Sequence, residues 1–562
     1  MGAAAALLRL LMIDRVPLSE TEVTYALPAW QALRGQLDSS LAATGTPLLA
    51  HLLAGLFGLF GASDVAARLP AALAGVALAL TPALLTAHVG LRAALWAAAL
   101  LVVSPIAVQA SRLADPSMLT AALVMLVVAS AIRVFTDKPP WSPWALALGM
   151  GLSFAHQSSA VVALVAAAAA FAGAKRGGQE TRPRGSRRRR GVWESVGSRS
   201  TTSDGGAPGR LPDLQPQHLL VAPAVAVLAA TGALTDLRGL GFIAVDLWVG
   251  ALAFWTGASF QLRNLAALTV YAGPLLALAT AGCVLGVRER DPLRRFLGLW
   301  AGILMAMAAI FGPDGLSFVV LPLAPASLLA GTLLARLPLD PSAYRLTGPG
   351  WAALTLTGAS GGIAALVFSQ TSGVEGRGVA PQTLITLVAV PVLLLIFWQW
   401  RVPRAERAAA AAVLGFVAFS LVTAGSIGRS SFGGSPPGSE LLPTEETDPA
   451  FRAVLRELNV WARADPQRVL VTELPMPALA LWYGRDMAVA LPGTRAMAGT
   501  VLMREAPSPS TGASGGPRIP WKTISGVETA DLHPLGILRW VATRSGLVKG
   551  RPRHIILEYG ER

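Results

Sequence analysis

The chain has 562 residues, of which 53% are hydrophobic and 14% are charged, and its mean hydropathy is +0.55. This composition is typical of a polytopic membrane protein rather than of a wholly water-soluble one, since a helix crosses a bilayer with about 20 apolar residues. The formal net charge is +14, but the positive charge is local, so we expect no nucleic-acid partner. The single cysteine, Cys283, excludes an internal disulfide and a cysteine metal site.

Apolar stretches in chain order predict about 13 transmembrane helices. They cover residues 1–13, 66–88, 92–109, 116–135, 143–157, 158–173, 218–234, 266–286, 295–311, 317–335, 350–368, 382–400 and 408–426. The first stretch is too short to span, and we interpret it as the remainder of a first transmembrane helix. Two more apolar segments, 47–62 and 235–265, carry or adjoin aromatic residues, which predicts helices lying along the membrane interface.

Charges in the connecting turns predict the orientation of the chain. One set of turns is basic and contains Arg92, Lys138, the segment 173–217, Arg288, Arg290, Arg294, Arg295, Arg401, Arg404 and Arg407. The other set is acidic and contains Glu20, Glu22, Asp115, Asp236, Asp246 and Asp314. By the positive-inside rule, the acidic turns and the tail from about residue 427 are extracytoplasmic in a protein of the inner membrane. This orientation requires that 143–157 and 158–173 are two separate helices.

We therefore predict an all-α polytopic membrane protein with a small extracytoplasmic α/β domain. The membrane domain covers 1–426 and includes a basic, disordered cytoplasmic loop at 173–217 that sets topology or contacts anionic lipid. A Gly/Ser/Pro-rich linker at 427–448 leads to the α/β domain at 449–562, where an amphipathic helix precedes short apolar strands.

The first acidic loop, PLSETEVTYALPAWQALRG, is the first candidate for chemistry. Glu20 and Glu22 lie close to the predicted membrane surface, where a carboxylate can act as a general base or ligate a divalent cation. Alternatively, both are acidic first-turn residues of a helix that begins near Ser19. Tyr25 follows Glu22 by three residues, so on a helix the two side chains share a face.

The order of motifs, Glu-x-x-Tyr-Ala, then TPLL, then LFGASDVAARLPAALAG, resembles the protein mannosyltransferase and lipid A aminoarabinose transferase group of the C superfamily of glycosyltransferases. The resemblance covers roughly residues 10–135. It implies a polyprenyl-phosphate-linked sugar donor, inverting transfer to a lipid, glycan or protein acceptor, and a divalent cation as a candidate cofactor. The family carries an Asp-Glu pair in this loop. Here Glu22 matches the Glu, but Thr21 stands where the family has Asp.

The resemblance also implies roles for residues outside this loop. Glu22 would deprotonate the acceptor, supported by Asp115 or Glu20, while Arg68 or Arg112 would hold the departing phosphate by charge-assisted hydrogen bonds. Alternatively, Asp115 followed by proline is a helix N-cap. The two arginines are equally typical of snorkelling interfacial residues.

Four residues are weaker candidates for contact with the acceptor or the sugar: Tyr25, His156, Trp482 and Tyr483. A histidine at a helix end such as His156 is alternatively a solvated interface residue. The tail segment LPMPALALWYGRD resembles the Trp-Tyr-x-Arg-Asp motif of an uncharacterised branch of the superfamily. Its aromatic residues either contact sugar or pack the tail against the membrane part.

Two other functions remain open. The first is a catalytically degenerate member of the superfamily that acts as an accessory in glycan or lipid-carrier export, because Thr21 replaces the loop Asp. The second is a transporter. The predicted spans hold no series of ionisable residues of the kind that a proton-coupled transporter needs.

Overall fold

The structure is a computed structural model that describes residues 1–35, 44–136, 139–179, 216–256, 262–311, 316–336, 445–447, 449–463, 469–472, 478–485, 488–490, 500–505, 518–524 and 553–559. Helices make up the first part, up to residue 336, which we call the membrane part. Short strands and two helices make up the described residues from 445 onward, which we call the tail.

The membrane part begins with a series of helices joined by short turns. They are α1 Gly2–Leu10, α2 Glu20–Leu33, α3 Pro47–Phe60, α4 Asp64–Leu80, a 3₁₀ segment Thr81–Leu85, α5 Thr86–Val89, α6 Leu91–Val103, α7 Pro105–Ala110, α8 Ser117–Thr136, α9 Ser142–Phe154 and α10 Ser158–Gln179. The second half continues with α11 Pro216–Ala230, α12 Gly239–Gly241, a π-helical segment Phe242–Asp246, α13 Leu247–Thr256, α14 Leu262–Arg288, α15 Pro292–Ile310, α16 Leu316–Val320 and α17 Leu323–Leu334.

Six helical segments of the described chain are long and apolar enough to cross a membrane. They are Asp64–Val89, Ser117–Thr136, Ser158–Lys175, Tyr271–Arg288, Pro292–Ile310 and Leu316–Leu334. Six apolar segments of this length make the chain a membrane protein. The predicted total of 13 remains a prediction, because the expected spans 350–368, 382–400 and 408–426 lie outside the described residues.

Helix breaks follow local chemistry. Ser104 caps α7 by accepting the Ala107 N–H, and Pro105 takes the first helical position, so the predicted 92–109 helix is divided in two. The expected division between 143–157 and 158–173 is present, since α9 ends at Phe154 and α10 begins at Ser158. Helix α10 continues to Gln179, which extends it beyond the predicted start of the basic loop at residue 173.

One large apolar core joins the helices of the membrane part. It combines small residues, mostly alanine, with a few large ones such as Trp300, Phe311 and Phe318. Small side chains allow helices to approach closely in a membrane, where no hydrophobic force drives helices together. Gly75 shows this directly, because a Cβ at this position would lie 2.6 Å from the Ser111 Cβ.

The tail contains a six-stranded sheet of order β1-β5-β6-β4-β2-β3. Its elements are β1 Glu445–Glu446, α18 Pro449–Arg463, β2 Val469–Thr472, α19 Ala478–Tyr483, β3 Ala488–Ala490, β4 Thr500–Glu505, β5 Arg518–Ile524 and β6 Arg553–Tyr559. Strand β2 pairs in parallel with β3 and β4, and the β4–β6, β5–β6 and β1–β5 pairs are antiparallel. The boundaries of a separate α/β domain, and its side of the membrane, stay predictions.

Candidate functional site

Helix α2 begins with a capping box, which explains why the acidic loop turns helical at this point. The Ser19 hydroxyl accepts the Glu22 N–H at 3.3 Å, and the Glu22 carboxylate accepts the Ser19 N–H at 2.8 Å. This reciprocal pair satisfies two of the donors that a helix N-terminus leaves unpaired. Glu22 is therefore held at the first turn of α2, and only 3% of it is exposed.

The Glu22 carboxylate is fully occupied by hydrogen bonds. Its Oε1 atom accepts Arg68 Nε at 2.7 Å and the Ala114 N–H at 2.8 Å. Its Oε2 atom accepts Arg68 Nη2 at 2.8 Å, in addition to the Ser19 N–H. A carboxylate offers about four acceptor positions, and all of them are filled, so Glu22 joins α2, α4 and the turn before α8.

The hydrogen-bond donors of Arg68 are also all occupied. Its Nη1 atom donates to the carbonyl oxygens of Ile13 at 2.8 Å and Val16 at 2.6 Å, and Nη2 also donates to that of Pro17 at 3.1 Å. With the two bonds to Glu22, all five guanidinium donors are used. Arg68 lies in α4 with 2% of its surface exposed. Its contacts fix the segment before α2 rather than leave a donor for a phosphate.

Asp115 differs from Glu22 because only one of its oxygens has a protein partner among the described residues. Oδ1 accepts both the backbone N–H of Ser117, at 2.8 Å, and the Ser117 hydroxyl. This is an N-cap interaction at the start of α8, as the sequence pattern allowed. Burial raises the pKa of the Asp115 carboxyl, the Ser117 bonds lower it, and the negative charge of Glu22 raises it further.

A second group of polar side chains packs against the residues that follow Asp115, at the start of α8. His156 is fully buried and its Nε2 atom lies 3.0 Å from the Pro116 carbonyl oxygen, directly after Asp115. Burial lowers the pKa of His156 to about 4, so the ring is neutral at pH 7. The neighbouring Gln157 accepts a hydrogen bond from the Thr120 hydroxyl at 3.2 Å. The alternative that His156 is a solvated interface residue is therefore wrong.

Arg112 caps the end of α1. Its guanidinium donates to the carbonyl oxygens of Leu8, Leu11 and Met12, at 3.3, 2.6 and 2.8 Å. A basic side chain on the last carbonyls of a helix is a common C-terminal cap. Burial, with a smaller contribution from the nearby positive charge of Arg68, lowers the pKa of Arg112 to about 10, which leaves it charged at neutral pH.

The remaining loop candidates lie on α2. Glu20 occupies its first position and is 4% exposed, whereas Tyr25 is partly buried against the apolar cluster formed by α2, α3 and the tail. Thr21, the residue at the family Asp position, is exposed. The structure thus gathers Glu20, Glu22 and Asp115 at the starts of α2 and α8, and leaves Thr21 on the surface.

The two tail aromatics lie on the start of α4. Trp482 Nε1 donates to Asp64 Oδ1 at 3.1 Å, and the Tyr483 hydroxyl donates to Asp64 Oδ2 at 3.0 Å. Arg485 donates to the Ala62 carbonyl at 2.8 Å. Trp482 is fully buried and Tyr483 is 7% exposed, so these side chains make the contacts of the packing alternative.

Comparison with known proteins agrees with this architecture. Residues 44–181 match the family described as Dolichyl-phosphate-mannose-protein mannosyltransferase. The crystal structure of ArnT from Cupriavidus metallidurans bound to undecaprenyl phosphate is similar, with a TM-score of 0.53, 14% identity, and coverage of 99% of this chain and 96% of that chain. The chain resembles the C superfamily of glycosyltransferases, and its fold is ArnT-like.

ArnT in the apo state gives a TM-score of 0.52 at 15% identity, covering 99% of this chain and 96% of that chain. The archaeal oligosaccharyltransferase AglB from Archaeoglobus fulgidus, in complex with an inhibitory peptide and a dolichol-phosphate, gives 0.44 at 12% identity, covering 90% and 68%. No curated protein matches this chain in sequence.

The described residues do not form a divalent-cation site. Within them, no group of three or more His, Cys, Asp or Glu side chains is placed to hold a metal ion. Glu22 fits such a role poorly, because its four acceptor positions are already filled. A requirement for a divalent cation stays a prediction.

Sequence reasoning missed three residues that the structure brings to this region. Asp64 anchors the tail aromatics, the Ala114 backbone N–H binds Glu22, and Ser117 binds Asp115. Ser117 carried a usable signal, because Asp-Pro-Ser at a helix start places a hydroxyl two residues after a capping carboxylate. The Asp64 and Ala114 contacts join residues far apart in sequence and carry no local signal.

Proposed function

We propose that this protein is a membrane glycosyltransferase that moves a sugar from a polyprenyl-phosphate donor to an acceptor hydroxyl, with inversion at the anomeric carbon. The ArnT-like fold over 99% of the chain supports this reaction class. The matched family segment, 44–181, includes Arg68, Arg112, Asp115 and His156. The donor class is carried over from ArnT, whose structure holds undecaprenyl phosphate.

The single observation behind the assignment of the base is the contrast between the two carboxylates. Glu22 has four hydrogen bonds, whereas Asp115 commits one oxygen and leaves Oδ2 without a protein partner in the described part of the chain. A general base needs an oxygen that can reach the acceptor. We therefore give this role to Asp115 and give Glu22 the task of holding the turn that carries Asp115.

The electrostatics of Asp115 suit proton abstraction. Burial and the nearby Glu22 charge raise the pKa of its carboxyl, and a base works best when its pKa is closer to the working pH. In the proposed step, the oxygen of the acceptor hydroxyl forms a bond to the anomeric carbon, and Asp115 takes the proton of that hydroxyl. The bond between that carbon and the phosphate oxygen breaks, and the polyprenyl phosphate leaves with the electron pair.

Hydrogen bonds within the protein occupy most of the side chains that the sequence offers for substrate binding. Arg68 and Arg112 hold backbone carbonyls, so phosphate binding by either would require these bonds to be exchanged. Trp482 and Tyr483 are buried on Asp64, so their role in this proposal is to pack the tail and not to contact sugar. Tyr25, on the same helix as Glu22, stays a candidate for the acceptor side.

We also propose that the reaction takes place on the extracytoplasmic side of the inner membrane. The support for this is the sequence distribution of charge, in which acidic residues such as Glu22 and Asp115 share one set of turns and arginines fill the other. Cysteine labelling of intact cells tests it: a cysteine placed in the tail should react with an impermeant reagent, and one placed at Arg187 should not.

The decisive test is transfer by the purified full-length chain in lipid nanodiscs, with a panel of polyprenyl-phosphate sugars. We expect Asp115→Asn to lower the rate about 10²–10⁴-fold, the usual contribution of a general base, while donor binding and apparent melting temperature change little. Glu289→Gln, which also removes one carboxylate charge but lies in a different cluster, is the matched control and should keep the wild-type rate. Full transfer by Asp115→Asn would remove Asp115 from the mechanism.

A second candidate function is a degenerate member that binds the lipid carrier without transferring sugar. The exposed Thr21 at the family Asp position and the saturated hydrogen bonding of Glu22 favour it. Saturable binding of a polyprenyl-phosphate sugar, with no turnover across the donor panel and a range of acceptors, would select this function over the first.

A further inference from the structure

Three side chains of the tail meet at one carboxylate of the membrane part, that of Asp64. Asp64 is 9% exposed and accepts Trp482 at Oδ1 and the Tyr483 hydroxyl at Oδ2, and Arg452 Nη1 lies 3.2 Å from Oδ2. Arg452 also donates to the Asp14 carbonyl at 2.7 Å. Two tail helices, α18 and α19, therefore meet at the N-terminus of α4, where an acidic side chain is favourable.

The Tyr483 hydroxyl makes a second bond that reaches the carboxylate region. It accepts the backbone N–H of Leu18 at 2.6 Å, and Leu18 is fully buried. Leu18 directly precedes Ser19, the residue that caps α2 and binds Glu22. A single hydroxyl thus links the segment before α2 with the start of α4.

The Tyr483 hydroxyl and the Glu22–Arg68 ion pair connect the same two segments of the membrane part. Asp64 and Arg68 are four residues apart, on one face of α4. Tyr483 joins Asp64 to Leu18, and Arg68 joins α4 to the carbonyls just before Leu18 and to Glu22. The two links connect the same pair of segments, one from the tail and one from within the membrane part.

Apolar packing holds the tail in place independently of this hydroxyl. The Tyr483 ring lies edge-on to Phe451, with centroids 6.3 Å apart, and Trp482 lies 5.6 Å from Phe57. Buried residues of the membrane part, among them Leu53 and Phe57, form one apolar cluster with buried residues of the tail, among them Phe451, Leu455 and Trp482. Removing one hydroxyl leaves this packing intact.

We propose that Tyr483 is a positioning residue: its hydroxyl fixes the start of α2, so that Glu22 keeps its hold on the Ala114 N–H beside Asp115. The effect of this tether on sugar transfer rests on the proposed function, whereas its effect on the α2 segment does not. Tyr483 thereby sets the geometry of the carboxylates without itself taking part in the reaction.

Hydrogen exchange on the full-length protein in nanodiscs tests the tether directly. Tyr483→Phe removes the partner of the Leu18 amide and keeps the ring, so exchange in a peptide covering residues 14–24 should accelerate about five- to tenfold, the equivalent of one net hydrogen bond. Trp482→Phe is the matched control, since it loses a bond to the same Asp64 but none to Leu18. It should leave exchange in this peptide near the wild-type rate.

Kinetics supply the second measurement. We expect Tyr483→Phe to lower kcat about five- to tenfold with donor KM within about twofold, and Trp482→Phe to stay closer to wild type in both. Equal exchange and equal kcat in the two variants would overturn the proposal, because the tail would then only dock. A wild-type protein that transfers no sugar contradicts the proposed function and leaves the exchange experiment to decide the tether.

If Tyr483→Phe does not fold, Asp64→Asn replaces it. This change weakens the acceptor that orients the Tyr483 hydroxyl, and exchange at Leu18 should again accelerate. Unchanged exchange in the 14–24 peptide of a folded Asp64→Asn protein would contradict the tether.

Discussion

Two clusters of arginine and glutamate in this protein use the same side chains in opposite environments. The side chains of Glu22 and Arg68 are each 3% exposed and are enclosed by backbone groups. Glu289 is exposed and pairs with Arg294 at 2.8 Å and with Arg336. The hydrogen bond and charge of Arg336, with those of Arg294, hold the pKa of Glu289 below its ordinary value.

The difference lies in what happens when one partner is lost. An exposed carboxylate that loses its arginine regains water, so exposed pairs contribute little to stability. A buried carboxylate that loses its arginine keeps an uncompensated charge in a medium of low polarity. The Glu22–Arg68 pair is therefore part of the framework of the membrane part, while the Glu289 cluster is a surface feature between α14, α15 and α17.

Breaking the buried Glu22–Arg68 pair by a single neutral substitution gives the largest expected effect. Glu22→Gln or Arg68→Gln should lower the free energy of unfolding by about 3–5 kcal/mol, because each leaves a buried charge without its partner. The measurement is the apparent melting temperature of purified protein in one detergent. The chain offers Glu289→Gln as a control, and its melting temperature should stay near that of wild type.

An arginine-to-lysine change sharpens the same comparison. Arg68→Lys keeps the charge but has three donors on one atom instead of five in a planar fork, so it cannot serve Glu22 and three carbonyls together. It should resemble Arg68→Gln more than wild type. A melting temperature near wild type for Arg68→Lys would mean that charge, rather than the fork geometry, maintains this cluster.

His156 should make the stability of the buried region sensitive to acid between pH 6.5 and pH 4. Its pKa is lowered to about 4, while an unfolded histidine has a pKa of about 6.5. Between these values the unfolded chain binds a proton that the folded protein does not. Stability that is present above pH 6.5 is therefore lost as the pH falls toward 4, by about 3 kcal/mol.

The His156 prediction is measured as a difference between two proteins. The melting temperatures of wild type and His156→Gln are followed from pH 7 to pH 4, and the wild type should fall more steeply. Parallel curves would show that His156 is not held neutral by burial.

The smallest expected effect concerns Asp115, whose exposure is intermediate between that of buried Glu22 and that of exposed Glu289. Ser117 donates to the Asp115 carboxylate and thereby lowers its pKa. Ser117→Ala removes the hydroxyl donor, so the pKa rises and less of the base is ionised at a given acidic pH. The acidic limb of the pH profile of transfer should move to higher pH, with the plateau rate retained. A shift to lower pH would contradict the role of Asp115 as base.

Several features of the fold follow from local sequence. The apolar segments from 66 to 88 and from 116 to 135 correspond to α4–α5 and α8 within a few residues. Glu20 and Glu22 after Ser19 predict the start of α2, because acidic side chains are favourable in the first turn of a helix. Asp115 and Pro116 similarly predict the start of α8. Each of these signals acts over a single turn, which is why it is visible in the sequence.

Only the tertiary structure decided which carboxylates have all their hydrogen-bond positions filled and which keep an oxygen available. Glu22 and Arg68 are 46 residues apart, and Tyr483 and Leu18 are 465 apart. No periodicity predicts such contacts, because they depend on how whole helices pack. The amino-acid pattern by itself determined that carboxylates lie at helix starts in a membrane protein. Packing decided that one is saturated by a buried guanidinium while the other keeps an oxygen available, since burial makes each unpaired polar group costly and selects the arrangement that satisfies most of them.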